Sequence, residues 1–104
     1  MFLTPKDRLR AIWRDAGVEI RMLLIHPMQL AAVADDGQPI LSDFIQTIDC
    51  WHQQKKIFTM HCSPLIAADP YLSFWLTKGT IGEEIAIRWV DNRGRKGKLT
   101  TQIR

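Results

Sequence analysis

The sequence has few of the features that mark a membrane protein, a metal centre or a cofactor site. No apolar run approaches the roughly 18 residues that a membrane-spanning helix needs. The three histidines and two cysteines are scattered, and His61 and Cys62 are adjacent, so on a strand their side chains would point to opposite faces. Structural zinc sites need paired ligands at short spacing instead. We therefore expect no membrane span, no bound metal and no cofactor.

The two cysteines are not placed for an intrachain disulfide. The segments that carry Cys50 and Cys62 are predicted to form a β-hairpin that turns on residues 53–54. In that register Cys50 faces Ile57 and Cys62 faces Ile45, which puts the thiols about 17 Å apart on opposite faces. A disulfide requires Cα atoms within about 7 Å, so we expect two free structural thiols unless a β-bulge changes the register.

Signals for catalysis are equally sparse. The six glycines are separated turn residues, and none belongs to a phosphate-binding loop. A nucleophile, base and carboxylate can be assembled from Cys62 or Ser63, a histidine and Asp69, but no spacing supports that combination over chance. We therefore predict that the chain is not an enzyme.

What the sequence does contain is a series of short β-type segments in a single domain over residues 1–104. Apolar alternation and turn clusters predict strands at 18–25, 44–51, 57–62, 72–77, 84–90 and 98–104. The first segment is ambiguous. Thr4-Pro5 and Gly17 are typical of helix ends, whereas the alternation over Arg8–Arg14 also fits a strand. Counted as a strand, it brings the total to seven, the number found in an all-β, immunoglobulin-like β-sandwich.

The charge pattern leaves nucleic acid as an alternative ligand. The net charge is +3, and basic residues gather near both ends of the sequence. Aromatic side chains beside the basic run 93–96 could stack on bases, although large aromatics on strands more often belong to the core. These aromatic residues are Trp51, Tyr71, Phe74, Trp75 and Trp89. The core interpretation is favoured, and a nucleic-acid-binding β module is kept as the alternative function.

His26 is the most unusual ionisable residue, because it ends an apolar segment and precedes Pro27. Proline holds the residue before it in extended geometry, so His26 is predicted to end a strand at a rigid corner. Three roles stay open for its ring. It could bond a backbone carbonyl at the corner, contact a partner together with the adaptable Met28, or act as a ligand or base.

Four stretches, in order, resemble one protein family. "EIRMLLIHPM" (19–28) resembles its "EIR-x-LI-x-HPM" element, and "DDGQPI" (35–40) resembles its "DGKPI" turn. "DPYLSFWL" (69–76) is similar to its "NPYLAF" segment, and "IRWVDNRG" (87–94) is similar to its "WVDDDG" hairpin. The family is SoxZ, the small subunit of the SoxYZ sulfur carrier. The chain departs from it at 53–54, where Gln-Gln replaces the expected Asn-Gly.

The resemblance implies a fold, a partner and a location. It implies an immunoglobulin-like sandwich, with Arg8–Arg14 as a strand, in a heterodimer with SoxY during thiosulfate oxidation. In the family the sulfur is carried on a C-terminal Gly-Gly-Cys-Gly-Gly arm of SoxY, which visits other sulfur-oxidation enzymes. The Z subunit, without an export signal of its own, reaches the periplasm together with SoxY, and no signal peptide is visible in "MFLTPKDRLR". No contact with nucleic acid or a membrane is implied.

The residues expected to meet SoxY lie in the strand-end corner and in the aromatic segment of the chain. The aromatic segment offers large side chains and the corner offers a rigid backbone, and both properties suit an interface anchor. The predicted interface residues are His26, Pro27, Met28, Tyr71, Phe74 and Trp75. No catalytic, cofactor-binding or metal-binding residue is predicted.

Overall fold

Residues 6–104, which the computed structural model describes, form nine strands and no helix. No segment in this range is therefore a helix that could cross a membrane. Seven strands are long and two are short. The strands are β1 Arg8–Arg14, β2 Gly17–Leu23, β3 Ala32–Val33, β4 Pro39–Ile40, β5 Ile45–His52, β6 Lys55–His61, β7 Tyr71–Leu76, β8 Glu84–Asp91 and β9 Lys96–Gln102.

The long strands form two sheets that pack face to face. One sheet has the order β1-β2-β7 and the other has the order β6-β5-β8-β9, with every neighbouring pair antiparallel. The short strands β3 and β4 form a separate two-stranded ribbon. Between the sheets lies a core of fully buried apolar side chains, among them Val18, Ile20, Met22, Ile45, Ile48, Ile85 and Ile87. The predicted all-β sandwich is confirmed.

The ambiguous first segment is a strand. β1 pairs with β2 over its whole length, and it buries Ala11 in the core while Arg8 and Arg10 stay exposed. The helix interpretation was wrong because pairing with β2 overrides the local signals at the two ends. Of those signals, Thr4-Pro5 lies outside the described residues.

The outer edge of β1 is partly covered by the C-terminal end of the chain. The Trp13 N–H donates to the Arg104 carbonyl at 2.7 Å, and the Arg104 N–H donates to the Ala11 carbonyl at 3.0 Å. A parallel bridge also joins Ala11 to Ile103, so the two sheets are connected along this side.

The β5–β6 hairpin turns on Gln53 and Gln54, as predicted, but in a different register. A β-bulge between Cys50 and Trp51 places Cys50 opposite Phe58 rather than opposite Ile57. The predicted pairing was therefore wrong. Both cysteines remain free, as expected.

Replacing Gln54 by glycine is expected to stabilise the fold by about 0.5–1 kcal/mol. Gln53 and Gln54 have φ values of 50° and 67°, the left-handed conformation that two-residue hairpin turns require and that glycine adopts at low cost. Urea unfolding would measure the gain. Gln53→Gly is the control, because the Gln53 side-chain oxygen accepts a hydrogen bond from the Glu84 N–H at 2.9 Å, and that bond would be lost. An unchanged or lower stability for Gln54→Gly would contradict the prediction.

Candidate functional site

The corner after β2 holds His26 in one orientation. Its backbone N–H donates to an Asp69 carboxylate oxygen at 2.9 Å, and its carbonyl accepts from the Asp69 N–H at 2.8 Å. Pro27 restricts His26 to extended geometry, and Met28 turns the chain with a φ of 47°. The ring therefore points inward, and His26 is only 3% exposed.

Both nitrogens of the His26 ring have partners. Nδ1 accepts a hydrogen bond from the Met28 N–H at 3.1 Å, so the neutral ring carries its proton on Nε2. Nε2 donates to Oδ2 of Asp91 at 3.1 Å and lies 3.4 Å from Oδ1 of Asp43. The edge of the ring also meets Trp89, with ring centroids 5.8 Å apart. The predicted carbonyl partner was wrong, because the ring bonds carboxylates.

Asp91 is the centre of these interactions. Besides His26, it accepts the backbone N–H groups of Arg93 and Arg95 and the Nε–H of Arg95, at 3.0, 2.7 and 2.6 Å. Burial by itself raises the pKa of Asp91, but the hydrogen bonds from His26 and Arg95 outweigh it and lower that pKa below its usual value. Asp91 is thus an ionised, buried acceptor at neutral pH.

Arg95 completes what we name the His26 cluster: His26, Asp43, Asp91 and Arg95. Its guanidinium pairs with both carboxylates, and this raises the pKa of Arg95. The cluster joins the β2 corner to the start of β5 and to the β8–β9 hairpin. Sequence reasoning missed it, since its members are far apart in the chain and no local spacing indicates their meeting.

The His26 cluster includes three groups that could serve as metal ligands. Donor atoms of His26, Asp43 and Asp91 all lie within 4.8 Å of one another. Imidazole and carboxylate groups both bind divalent metals. Here the guanidinium of Arg95 contacts both carboxylates and occupies the position of the cation. The arrangement is an ion-pair network in which the histidine and both carboxylates are buried and the guanidinium of Arg95 is half exposed.

Within residues 6–104, the surroundings of the His26–Asp91 pair differ from those of a catalytic triad. A general base needs a proton donor within reach, and the Nδ1 that faces away from Asp91 is bonded to the Met28 amide. Asp69, which the sequence offered as a triad member, is bonded to the backbone of His26. Within residues 6–104, the combination of Cys62 or Ser63 with a histidine and Asp69 is therefore not assembled around this ring.

The predicted interface residues divide between the surface and the interior. Tyr71 and Trp75 are 62% and 52% exposed, and Pro27 is exposed too. Phe74 points to the inner side of the sheet and contacts Phe58 edge to face, with the two ring centroids 4.7 Å apart. A partner contact at the exposed positions stays a prediction.

The two remaining interface candidates are buried in this chain. His26 belongs to the cluster, and Met28 is 6% exposed, with its sulfur accepting the Ile45 N–H at 3.3 Å. Their side chains shape the corner from within and present no surface to a partner. The buried position of His26 could not be read from the sequence, since it depends on carboxylates from distant segments.

A comparison of the sequence with models of protein families identifies the family of this chain. The family described as Sulphur oxidation protein SoxZ matches residues 7–102, nearly the whole chain. The chain belongs to the SoxZ family. A search of curated proteins finds no match. The predicted family is confirmed, and it makes this a sulfur-oxidation protein.

Both cysteines of this SoxZ-family chain have thiols whose pKa is raised by burial. Cys50 is completely buried, and burial raises the pKa of its thiol to about 12. Burial also raises the pKa of Cys62, which is partly covered. Since the thiolate is the reactive form, both groups are almost entirely in the unreactive thiol form at neutral pH.

Alkylation by iodoacetamide at neutral pH is therefore expected to be slow at both thiols, and at least a hundredfold slower at Cys50 than at a free cysteine. Mass spectrometry after timed quenching would measure the rate at each position. Unfolding in urea is the control, because it should restore ordinary rates at both residues. Fast labelling of Cys50 in the folded chain would contradict this account.

The five aromatic residues considered as a surface for stacking on bases do not form one surface in this SoxZ-family chain. Trp51 lies beside Arg88 and Lys56, with the guanidinium 5.0 Å and the ammonium 6.0 Å from its ring centroid. Trp89 packs on the core and on His26. Arg95 is held by the two carboxylates of the cluster. The residues proposed to stack on bases thus occupy separate parts of the molecule.

Proposed function

We propose that this chain is the non-catalytic partner subunit of a SoxY-type sulfur carrier in thiosulfate oxidation. Membership of the SoxZ family supports a place in sulfur oxidation. The protonated, shielded thiols support a division of labour in which another chain supplies the reactive sulfur. The occupied nitrogens of His26 support a structural rather than a catalytic role.

The observation that carries the proposal is the outer face of the three-stranded sheet. Side chains alternate across this sheet, and the register places Tyr71 beside Leu23 and Trp75 beside Glu19. Four arginines share the face: Arg8, Arg10, Arg14 and Arg21. Tyrosine, tryptophan and arginine are the residues that most often dominate protein–protein binding energy. A chain that exposes two large aromatics on one face of a strand, on either side of Ser73, presents a surface suited to a partner.

The remaining elements of the proposal follow from that partnership. The chain forms a heterodimer with the SoxY-type subunit and is exported with it to the periplasm. There the complex presents the sulfur-loaded arm of SoxY to other sulfur-oxidation enzymes through transient contacts.

The test is the affinity for the SoxY-type subunit of the same organism. Tyr71→Ala and Trp75→Ala are each expected to weaken the complex at least tenfold, because both side chains would act as interface anchors. Leu65→Ala is the matched control, since Leu65 is 81% exposed in the loop before β7. Isothermal titration calorimetry would measure the affinity of each of the three variants for the SoxY-type subunit. Unchanged affinity in both aromatic variants would overturn the docking surface, and turnover of a sulfur adduct by this chain alone would overturn the non-catalytic role.

A further inference from the structure

The two main sheets have four outer edges, and they are not equally protected against pairing with another strand. Exposed edges recruit foreign strands unless charge, proline, a bulge or a covering segment prevents it. The edge of β1 is partly covered by Ile103 and Arg104. β6 carries two lysines and a bulge in its pairing, and β9 carries Lys96 and Lys98.

β7 has none of these protections among the described residues. Its sequence, Tyr-Leu-Ser-Phe-Trp-Leu, contains no charge and no proline. Its pairing with β2 runs through six residue pairs without a register shift. The strand is therefore regular and uncharged along the whole of its outer edge.

The hydrogen-bond pattern identifies the backbone groups that line this edge. The Leu24 N–H donates to the Pro70 carbonyl at 3.0 Å, which marks residues 24 and 70 as a hydrogen-bonded pair. In an antiparallel ladder such pairs recur every second residue, so Leu72, Phe74 and Leu76 bond to β2. The N–H and C=O groups of residues 71, 73 and 75 consequently point away from the sheet. Within residues 6–104, no backbone hydrogen bond is made to them across that edge.

We propose that β7 pairs with an extended strand of the partner subunit, so that the three-stranded sheet continues across the interface. This inference rests on the proposed function and specifies how the partner is held. Three residues, 71, 73 and 75, would supply the main-chain bonds, while Tyr71 and Trp75 would supply side-chain anchors beside them.

The surroundings of β7 also define the chemistry of the incoming strand. On the inner side it would extend the half-buried row of Leu72, Phe74 and Leu76, which calls for apolar side chains. On the outer side, the four arginines of β1 and β2 share the face with one acidic residue among the described strands, Glu19. Glu19 already bonds Arg14 and Arg21, each at 3.1 Å. The inner side of the partner strand should therefore be apolar, and the part of the partner that lies over the outer face of β1 and β2 should be acidic, so that the association rate falls with added salt.

The decisive variant is Ser73→Pro, compared with Ser73→Ala. Proline removes an N–H that makes no bond inside this chain, and edge strands tolerate proline at such positions. We expect Ser73→Pro to weaken the complex at least tenfold and Ser73→Ala to leave it within twofold of the parent. Thermal unfolding of each free variant checks that the fold is retained.

Hydrogen exchange of the unaltered proteins gives a second test that needs no mutation. The amides of residues 71, 73 and 75 should exchange quickly in the free subunit and become protected in the complex. The amides of Leu72 and Phe74 should be protected in both states, since they bond to β2.

Each result has a separate meaning. Parent-like affinity for Ser73→Pro, or amides of residues 71, 73 and 75 that stay fast in the complex, would overturn strand pairing while leaving the proposed function in place. Failure of any SoxY-type subunit to bind would overturn the function itself. Protection of the three amides that rises with the concentration of the free chain would assign the edge to a second copy and overturn the partner strand.

Discussion

Replacing Asp91 by alanine is expected to lower the free energy of unfolding by about 3–5 kcal/mol, because it leaves the buried His26 ring and three partly buried N–H groups without their acceptor. The carboxylate is 1% exposed and accepts bonds from His26, from two backbone amides and from the Arg95 side chain. Without it, Nε2 of His26 keeps only Asp43 as a carboxylate partner, at 3.4 Å, and the β8–β9 hairpin loses the bonds that shape its turn.

Urea unfolding monitored by circular dichroism would measure this loss. Asp36→Ala is the matched control, since Asp36 is an exposed turn carboxylate that accepts one bond, from the Gln38 N–H at 3.0 Å. Its loss should stay near 1 kcal/mol. Equal losses in the two variants would show that burial and ion pairing add nothing at Asp91.

The effect of Asp91→Ala should also depend on pH in a defined direction. The folded pKa of Asp91 is lowered, so its ionised form stabilises the fold above the unfolded value of about 3.9. That contribution disappears as the pH falls through the lower, folded pKa. The difference between parent and variant should therefore be complete at pH 6 and shrink below about pH 4. A difference that is independent of pH would contradict the assignment of an ionised Asp91.

Replacing Gly97 by valine is expected to destabilise the fold by about 2–3 kcal/mol through overpacking. Gly97 lies directly opposite Trp89 in the β8–β9 pair, and a Cβ atom there would overlap the indole nitrogen and the adjoining ring carbons. The indole would have to move from the core, where its neighbour is the ring of His26. The strand preference of valine, worth up to about 1 kcal/mol, recovers only part of the loss.

A double-mutant cycle with Trp89→Leu separates this clash from a general effect on β9. In the Trp89→Leu background the added side chain has room, so Gly97→Val should cost at least about 1 kcal/mol less than in the parent. Urea unfolding of the parent, both single variants and the double variant completes the cycle. Strictly additive losses would argue against the contact between the two positions.

The regular parts of the fold were predictable because their signals are local. Alternating apolar residues identified six of the seven long strands, whereas β1 was ambiguous until the family resemblance favoured a strand, and turn residues identified the turn between β3 and β4. The short β3–β4 ribbon carries too few residues for a period to be visible. The bulge at Cys50 was not predictable either, because register depends on the partner strand as well as on the turn.

The candidate sites show the same division. Tyr71 and Trp75 could be singled out from the sequence, since large aromatics on a short strand either fill a core or meet a partner. Only the structure distinguishes them from Phe74, because exposure depends on which face of β7 is covered by the opposite sheet. Packing against the opposite sheet also makes His26 an interior residue.

The amino-acid sequence on its own determined the succession of strands along the chain, the rigid corner at Pro27 and the membership of the SoxZ family. These depend on residues close together in the chain, whose steric and periodic preferences act without knowledge of the rest. The tertiary structure alone decided that His26 meets Asp43, Asp91 and Arg95, and that β7 is left as an uncharged edge. Both outcomes arise from the packing of distant segments, because burial and unpaired backbone groups exist only once the two sheets have come together.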